Sequence, residues 1–237
     1  SLSGRSDADW ARAAAPYVGG AFLGGIAVDD PTREAARAMV ERDRDEFLPA
    51  DPIAFVDDQL AALADLDLQA GFNVRAVEHD PLRRAAEVCA DHGAILEVNA
   101  HCRQNEICAT GAGQALLQAP GRLCDQVRVA SDAGATVSVK VRTEVPGVDL
   151  PALSVDLEAA GADVLHVDAM DSESVVGDVA DATDAYLVAN NEVRDRASVE
   201  EYLDYGADAV SVGRPSDDPV VLERVREAVL DWAADHD

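Results

Sequence analysis

Lysine is almost missing from this chain. All but one of its 19 basic residues are arginine, the exception being Lys140, and they face 46 Asp and Glu for a net charge of -27. So little positive charge works against a nucleic-acid partner, because phosphates and a carboxylate-covered surface repel one another. The carboxylates run along the whole chain rather than gathering in a tail, which argues against an acidic interaction arm. The simplest reading is a halophile-like protein of a salty cytoplasm, where the screening length falls to about 3 Å at 1 M salt. The sequence also lacks an apolar run long enough to cross a bilayer and a charged-then-apolar leader, so it reads as soluble and cytoplasmic. Cys89, Cys102, Cys108 and Cys124 form no Cys-x-x-Cys pair, and no disulfide is expected. Cys89 and Cys124 fall in helical patterns as core thiols. No metal site is expected either, since His101 beside Cys102 finds no second ligand pair at suitable spacing.

What is present is a core and a rhythm. Apolar residues make up 48% of the 237 positions, which excludes wholesale disorder and suits one domain over 1–237. A helix, then Gly-Ala, then a short β-branched strand recurs at Gly93-Ala94, Gly134-Ala135, Gly161-Ala162 and Gly206-Ala207. Helix starts are marked by Asp30-Pro31, Asp51-Pro52, Asp80-Pro81 and Asp218-Pro219, and by a capping box of Ser198 with Glu201. Strands are expected near Ala21–Val28, Phe72–Ala76, Ile95–Val98, Val137–Val141, Asp163–Val167, Ala185–Ala189 and Ala209–Val212. A helix from about Asp7 to Ala15 precedes the first, and Pro31–Leu66 reads as two helices. Alternation of this kind implies a parallel α/β sheet, and eight strands would close a (β/α)8 barrel. Seven are visible and Ser1 rather than Met opens the chain, so the first barrel strand is expected to be missing or trimmed at the N-terminus. A doubly wound open sheet is the alternative.

In a barrel, chemistry sits at the C-terminal strand ends. Those ends carry Arg75, Asn99 to Cys102, Lys140 and Arg142, Asp168, Asn190-Asn191-Glu192, and Gly213-Arg214. Lys140 is the sharpest signal, because a compact ammonium has been kept where arginine replaces lysine everywhere else. On a strand, Ser138, Lys140 and Arg142 share one face. His166 is expected to pack in the core or to bind backbone.

Asn99-Ala100-His101-Cys102, Gly111-Ala112-Gly113 with Leu116-Leu117, Val137 to Arg142, Asn190-Asn191-Glu192 and Gly206-Ala207-Asp208 through Gly213-Arg214 together resemble the tRNA-dihydrouridine synthase family. The match keeps the family's order and similar spacing from about Asp80 to Pro219. The resemblance implies an FMN-dependent oxidoreductase, reduced by NADPH, that reduces the C5=C6 bond of uridine in tRNA. Carried over by position, Cys102 would be the acid that protonates C5, and Lys140 would lie beside the flavin N1/O2 edge. Asn99 would orient flavin or base. Asn190, Asn191, Gly213 and Arg214 would hold the phosphate, while Arg75 takes the place of a flavin-contacting glutamine and Asp168 that of a flavin-contacting histidine.

The departures are specific. His101-Cys102-Arg103 replaces Gly-Cys-Pro, and Asp168-Ala169-Met170-Asp171 replaces His-Gly-Arg-Thr. No C-terminal helical domain that grips tRNA is recognisable, and no basic stripe offsets the charge, so tRNA is the least supported of the implied partners. Two other readings stay open: a flavin-dependent reductase of a small ring compound, and a barrel that has lost flavin and serves as a binding or scaffold protein.

Overall fold

The Gly-Ala steps set the spacing of the fold, and they do so through helix termination. Gly93, Gly134, Gly161 and Gly206 all have positive φ, and the alanine N–H after each closes back on the carbonyl five residues earlier, at Cys89, Ala130, Leu157 and Tyr202. This closure satisfies an orphan carbonyl and turns the chain sharply into the next strand.

The structure is a computed structural model that describes residues 4–236. All seven expected strands are present: β1 (Gly20–Ala27), β2 (Gln69–Arg75), β3 (Ile95–Asn99), β4 (Thr136–Arg142), β5 (Val164–Asp168), β6 (Tyr186–Asn190) and β7 (Ala209–Ser211). They pair in parallel in chain order, so each strand neighbours the next. The helices are α1 (Ala8–Ala14), α2 (Asp30–Val40), α3 (Pro52–Ala61), α4 (His79–Asp91), α5 (Asn105–Thr110), α6 (Pro120–Asp132), α7 (Leu150–Ala159), α8 (Val175–Ala180), α9 (Arg196–Asp204) and α10 (Pro219–His236). This is the (β/α)8-barrel architecture, with seven strands among the described residues and no pairing between β7 and β1. A strand upstream of Ser1 lies outside the described residues. Part of the seam is held instead by Ser6, which makes an antiparallel bridge to Gly24 on β1, and by Arg5, 3.4 Å from Asp217 beyond β7.

Three cap assignments need correction. Asp29, not Asp30, caps α2: one oxygen accepts from Thr32 N at 3.0 Å, and the other accepts from Val77 and Glu78 N at 2.5 and 2.8 Å. That buried carboxylate ties the β1–α2 turn to the β2–α4 turn, a job the exposed Asp30 could not do. The capping box is Asp195 with Ser198, one turn earlier than the Ser198–Glu201 pair expected. Asp51 and Asp218 do cap, but Asp80 does not: it lies inside α4, which begins at His79 after Glu78 with no side-chain cap.

The outward faces of the strands, such as Val137, Val139 and Val141 on β4, pack with helix residues such as Leu123, Val127 and Leu157 into one continuous core. A smaller cluster of Ala35, Met39, Ile107 and Ala112 joins α2 to α5. Since α5 lies in the loop after β3, this places α2 on the C-terminal side of the barrel, and α3 then packs against α4.

Candidate active site

Alternation along the strands decides what the barrel encloses. With its valines outward, β4 turns Ser138, Lys140 and Arg142 inward. The same period puts Asn73 and Arg75 of β2, Glu97 and Asn99 of β3, and His166 and Asp168 of β5 on the enclosed face, all buried. Barrels usually fill this space with layers of branched aliphatic side chains. Here β2 to β5 supply a polar filling, against which Phe22 of β1 packs at His166.

Buried polar groups persist only when hydrogen-bonded, and six of these form one chain. Lys140 Nζ lies 3.4 Å from His166 Nε2, and His166 Nδ1 lies 2.7 Å from Glu97 Oε2. Glu97 also accepts from Ser138 Oγ at 3.2 Å and from Asn73 Nδ2 at 2.7 Å. Asn73 Oδ1 in turn accepts from Asn99 Nδ2 at 2.8 Å. Asn99 Oδ1 finally accepts the backbone N–H groups of His101 and Cys102 at 3.2 and 2.9 Å. An ammonium can only donate, so Nε2 of His166 must accept and Nδ1–H must donate to Glu97. The imidazole is therefore neutral. Burial and the Lys140 charge pull it down to about 4 against the opposing pull of Glu97. Burial alone would raise the Glu97 carboxyl, but its contact with His166 and the Lys140 charge outweigh that and hold it below the usual range. The expectation that His166 merely packs or binds backbone is thus corrected: it links the site's lysine to a buried carboxylate.

Above this chain, His101 Nε2 contacts Asp168 Oδ2. The contact runs from the loop after β3 to the end of β5, and so crosses the end of β4, where Lys140 and Arg142 stand. Burial lowers the His101 ring on balance, while Asp168 opposes the shift. Burial pushes Asp168 up, but its hydrogen bond to His101 and the nearby charges bring it below the ordinary carboxylate value.

The expected site residues fall into three groups. Asn99, Lys140 and Asp168 converge at the ends of β3, β4 and β5, with Arg142 held by Gln114 Oε1 at 3.1 Å. Asn190, Asn191, Gly213 and Arg214 form a neighbouring group after β6 and β7. There Asn190 Nδ2 donates to Ser211 O at 2.8 Å and Asn191 Nδ2 to Met170 O at 2.6 Å, while Arg214 is exposed. Arg75 and Cys102 turn elsewhere. Arg75 Nη2 meets Glu46 Oε2 at 2.6 Å and Gly25 O at 2.5 Å. Cys102 packs its side chain against the α2–α5 cluster. Hollows of about 340 and 250 Å³ flank the mouth, one beside Arg142 and one beside Asn191, and Lys140 lines neither. Among the described residues no group of three His, Cys, Asp or Glu is arranged to hold a metal ion.

Sequence reasoning passed over Glu97, Asn73 and the pairing of His101, and read His166 only as a residue that packs or binds backbone. The signal was available in the strands, which read Asn-x-Arg, Glu-x-Asn, Ser-x-Lys-x-Arg and His-x-Asp at matching distances from their C-terminal ends.

A sequence model of the dihydrouridine synthase family matches residues 66–235. The chain belongs to that family. It is also 26% identical over 226 residues to an uncharacterized protein of Methanocaldococcus jannaschii, covering 90% of this chain and 86% of the relative. Among solved structures, the tryptophan synthase complex of Pyrococcus furiosus superposes with a TM-score of 0.61 at 12% identity, over 97% of this chain and 95% of that one. A FabK mutant of Thermotoga maritima gives 0.55 at 15% identity, over 91% of this chain and 60% of that one. At such identities these structures speak to the fold alone. Family membership brings flavin-oxidoreductase chemistry to this dihydrouridine synthase-type barrel at the level of the family.

Proposed function

We propose that this chain is an FMN-dependent reductase of the C5=C6 bond of a uracil ring, with NADPH as the source of electrons. The observation that carries the reading is the single lysine, buried at the barrel mouth and held in place by His166. The donor set suits a flavin mononucleotide. Lys140 supplies positive charge for the electron-rich edge of the ring. Near the ends of β6 and β7, the backbone N–H groups of Asn191, Glu192, Gly213 and Arg214 donate to no protein acceptor among the described residues. Left-handed φ at Asn191 and Glu192, with the exposed Arg214 guanidinium next to Gly213, makes this a cradle for an anion. The bound flavin would supply hydride transfer to a carbon–carbon double bond. The protein's part is to fix Lys140, exclude water with the α2 side of the mouth, and bring a proton to the adjacent carbon, a role the resemblance gives to Cys102.

Purification in high salt followed by a visible spectrum tests this. A flavin band is expected, and it should fall away in Lys140→Ala. FMN at about 100 times its dissociation constant should stabilise the protein by about 2.7 kcal/mol. Colourless protein whose melting temperature ignores added FMN overturns the reading. A second substrate reading, a small uncharged ring compound instead of tRNA, is favoured by the net charge of -27, which repels a polyanion. Loss of tRNA dihydrouridine in cells lacking the gene would decide for tRNA, and an unchanged modification profile for the small ring.

A further inference from the structure

Two departures from the family pattern, far apart in sequence, meet in space. His101 stands where the resemblance predicts glycine, and Asp168 where it predicts histidine, and the two side chains contact each other across the end of β4. The imidazole has not been lost from this mouth. It arrives from the loop after β3, with a carboxylate occupying the position on β5.

The surroundings leave one nitrogen of that imidazole open. Its Nε2 is committed to Asp168, and Nδ1 makes no hydrogen bond to protein among the described residues. Nor is Nδ1 among the buried unpartnered atoms, and the side chain keeps 32% of its surface exposed. The charged groups facing the ring are Asp168 from β5, and Lys140 and Arg142 from β4. Asn190 on β6, next to Asp168 in the sheet register, is neutral. The neighbouring Cys102 is differently employed: its carbonyl accepts from Gln114 N at 2.8 Å and Cys108 Sγ at 3.3 Å, and its side chain packs with residues of α2 and α5.

We propose that His101, oriented by Asp168, is the group that protonates the substrate carbon in this enzyme, taking the role that family resemblance would give to Cys102. The proposal rests on the flavin-dependent reduction argued above. A bound reduced flavin would supply hydride to one carbon of the double bond, and the π electron pair would pass to the adjacent carbon. That carbon takes the proton from Nδ1 of the imidazolium, forming a C–H bond and leaving a neutral ring whose Nε2–H still faces Asp168. Water then returns the proton. A carboxylate that orients an imidazole through one nitrogen leaves the other free to exchange protons, which is the geometry acid–base catalysis requires.

The first test needs no flavin. In the NMR spectrum of the protein, the His101 signal, assigned by its disappearance in His101→Gln, should titrate reversibly below the ordinary histidine value of about 6.5. In Asp168→Asn it should titrate lower still, because the opposing carboxylate is gone. A His101 ring that does not titrate between pH 4 and pH 9 overturns the proposal. The second test mixes anaerobic, NADPH-reduced protein with an unmodified tRNA transcript or with uridine monophosphate and follows flavin reoxidation. Wild-type reoxidation should slow as pH rises through the His101 titration. His101→Gln should be slower by about 100-fold or more without that pH limb, with its reduction by NADPH unchanged. Full-rate reoxidation by His101→Gln, with loss of rate in Cys102→Ala, overturns the assignment while leaving the flavin reading intact. Wild-type protein that binds no flavin overturns both.

Discussion

His166 sits between a cation and a carboxylate with no exposed surface, and its neutrality has a thermodynamic consequence. In the unfolded chain the ring takes up a proton near pH 6.5, whereas in the folded protein burial and Lys140 delay uptake to about 4. Between those values the unfolded state binds one more proton than the native state, so stability falls as pH drops from about 6.5 to about 4. The full effect is on the order of 3 kcal/mol from this ring, and His101, also lowered, adds in the same direction. Denaturant melts across that range should show the slope, and His166→Gln should flatten it. A wild-type midpoint that stays level from pH 6.5 to 4 would contradict the neutral-ring assignment. Truncating Glu97 is the harsher change, because it leaves Lys140 without its buried counter-charge; a loss of about 3–5 kcal/mol is expected.

At the scale of elements, the loop after β3 shows how two glycines place a site without touching a ligand. Gly111 ends α5 in a left-handed conformation. Gly113, with φ of 59°, lets the following 3-10 turn approach so closely that a Cβ there would lie 2.4 Å from the Cys102 carbonyl oxygen. Gly113→Ala therefore meets both backbone strain and a clash, for a loss of about 2–4 kcal/mol. It should also shift the His101 NMR signal; a variant with unchanged melting and unchanged signal would show that the loop does not depend on this contact. The strands and the Gly-Ala turns were legible in the sequence because each rests on local chemistry: period two, β-branching, and a left-handed glycine after a helix. The contacts between strands were less legible. Glu97 and His166 are 69 residues apart, and only the register Glu97↔Ser138 and Lys140↔His166 brings their carboxylate and ring together. Arg75 could be placed on its strand end from sequence, but its commitment to Glu46 depends on how the excursion after α2 folds back over β1 and β2. Asp29 outcompeted Asp30 as a cap for a similar reason, since only its second oxygen meets the β2–α4 turn.

At the scale of the whole molecule, the surplus of acid governs stability more than any single pair does. Some surface arginines are matched, as in Arg12–Asp65, Arg42–Glu106 and Arg128–Asp125. Each exposed pair is worth only about 0–1 kcal/mol, and the excess of 27 carboxylates has no cation to meet. Their mutual repulsion acts over a screening length of about 10 Å at 0.1 M salt, which shrinks to about 3 Å at 1 M. Folding gathers these charges and unfolding spreads them, so salt should stabilise the native state. A gain of a few kcal/mol corresponds to a rise in melting temperature of about 5–10 °C for a chain of this length. Most of that rise should come below about 1 M potassium chloride, where the screening length is falling fastest. Sucrose, which also favours compact states but carries no charge, separates the two causes. If sucrose at matched osmolality stabilises as much as salt does, or if salt leaves the melting temperature unchanged, repulsion among the carboxylates is not the governing term.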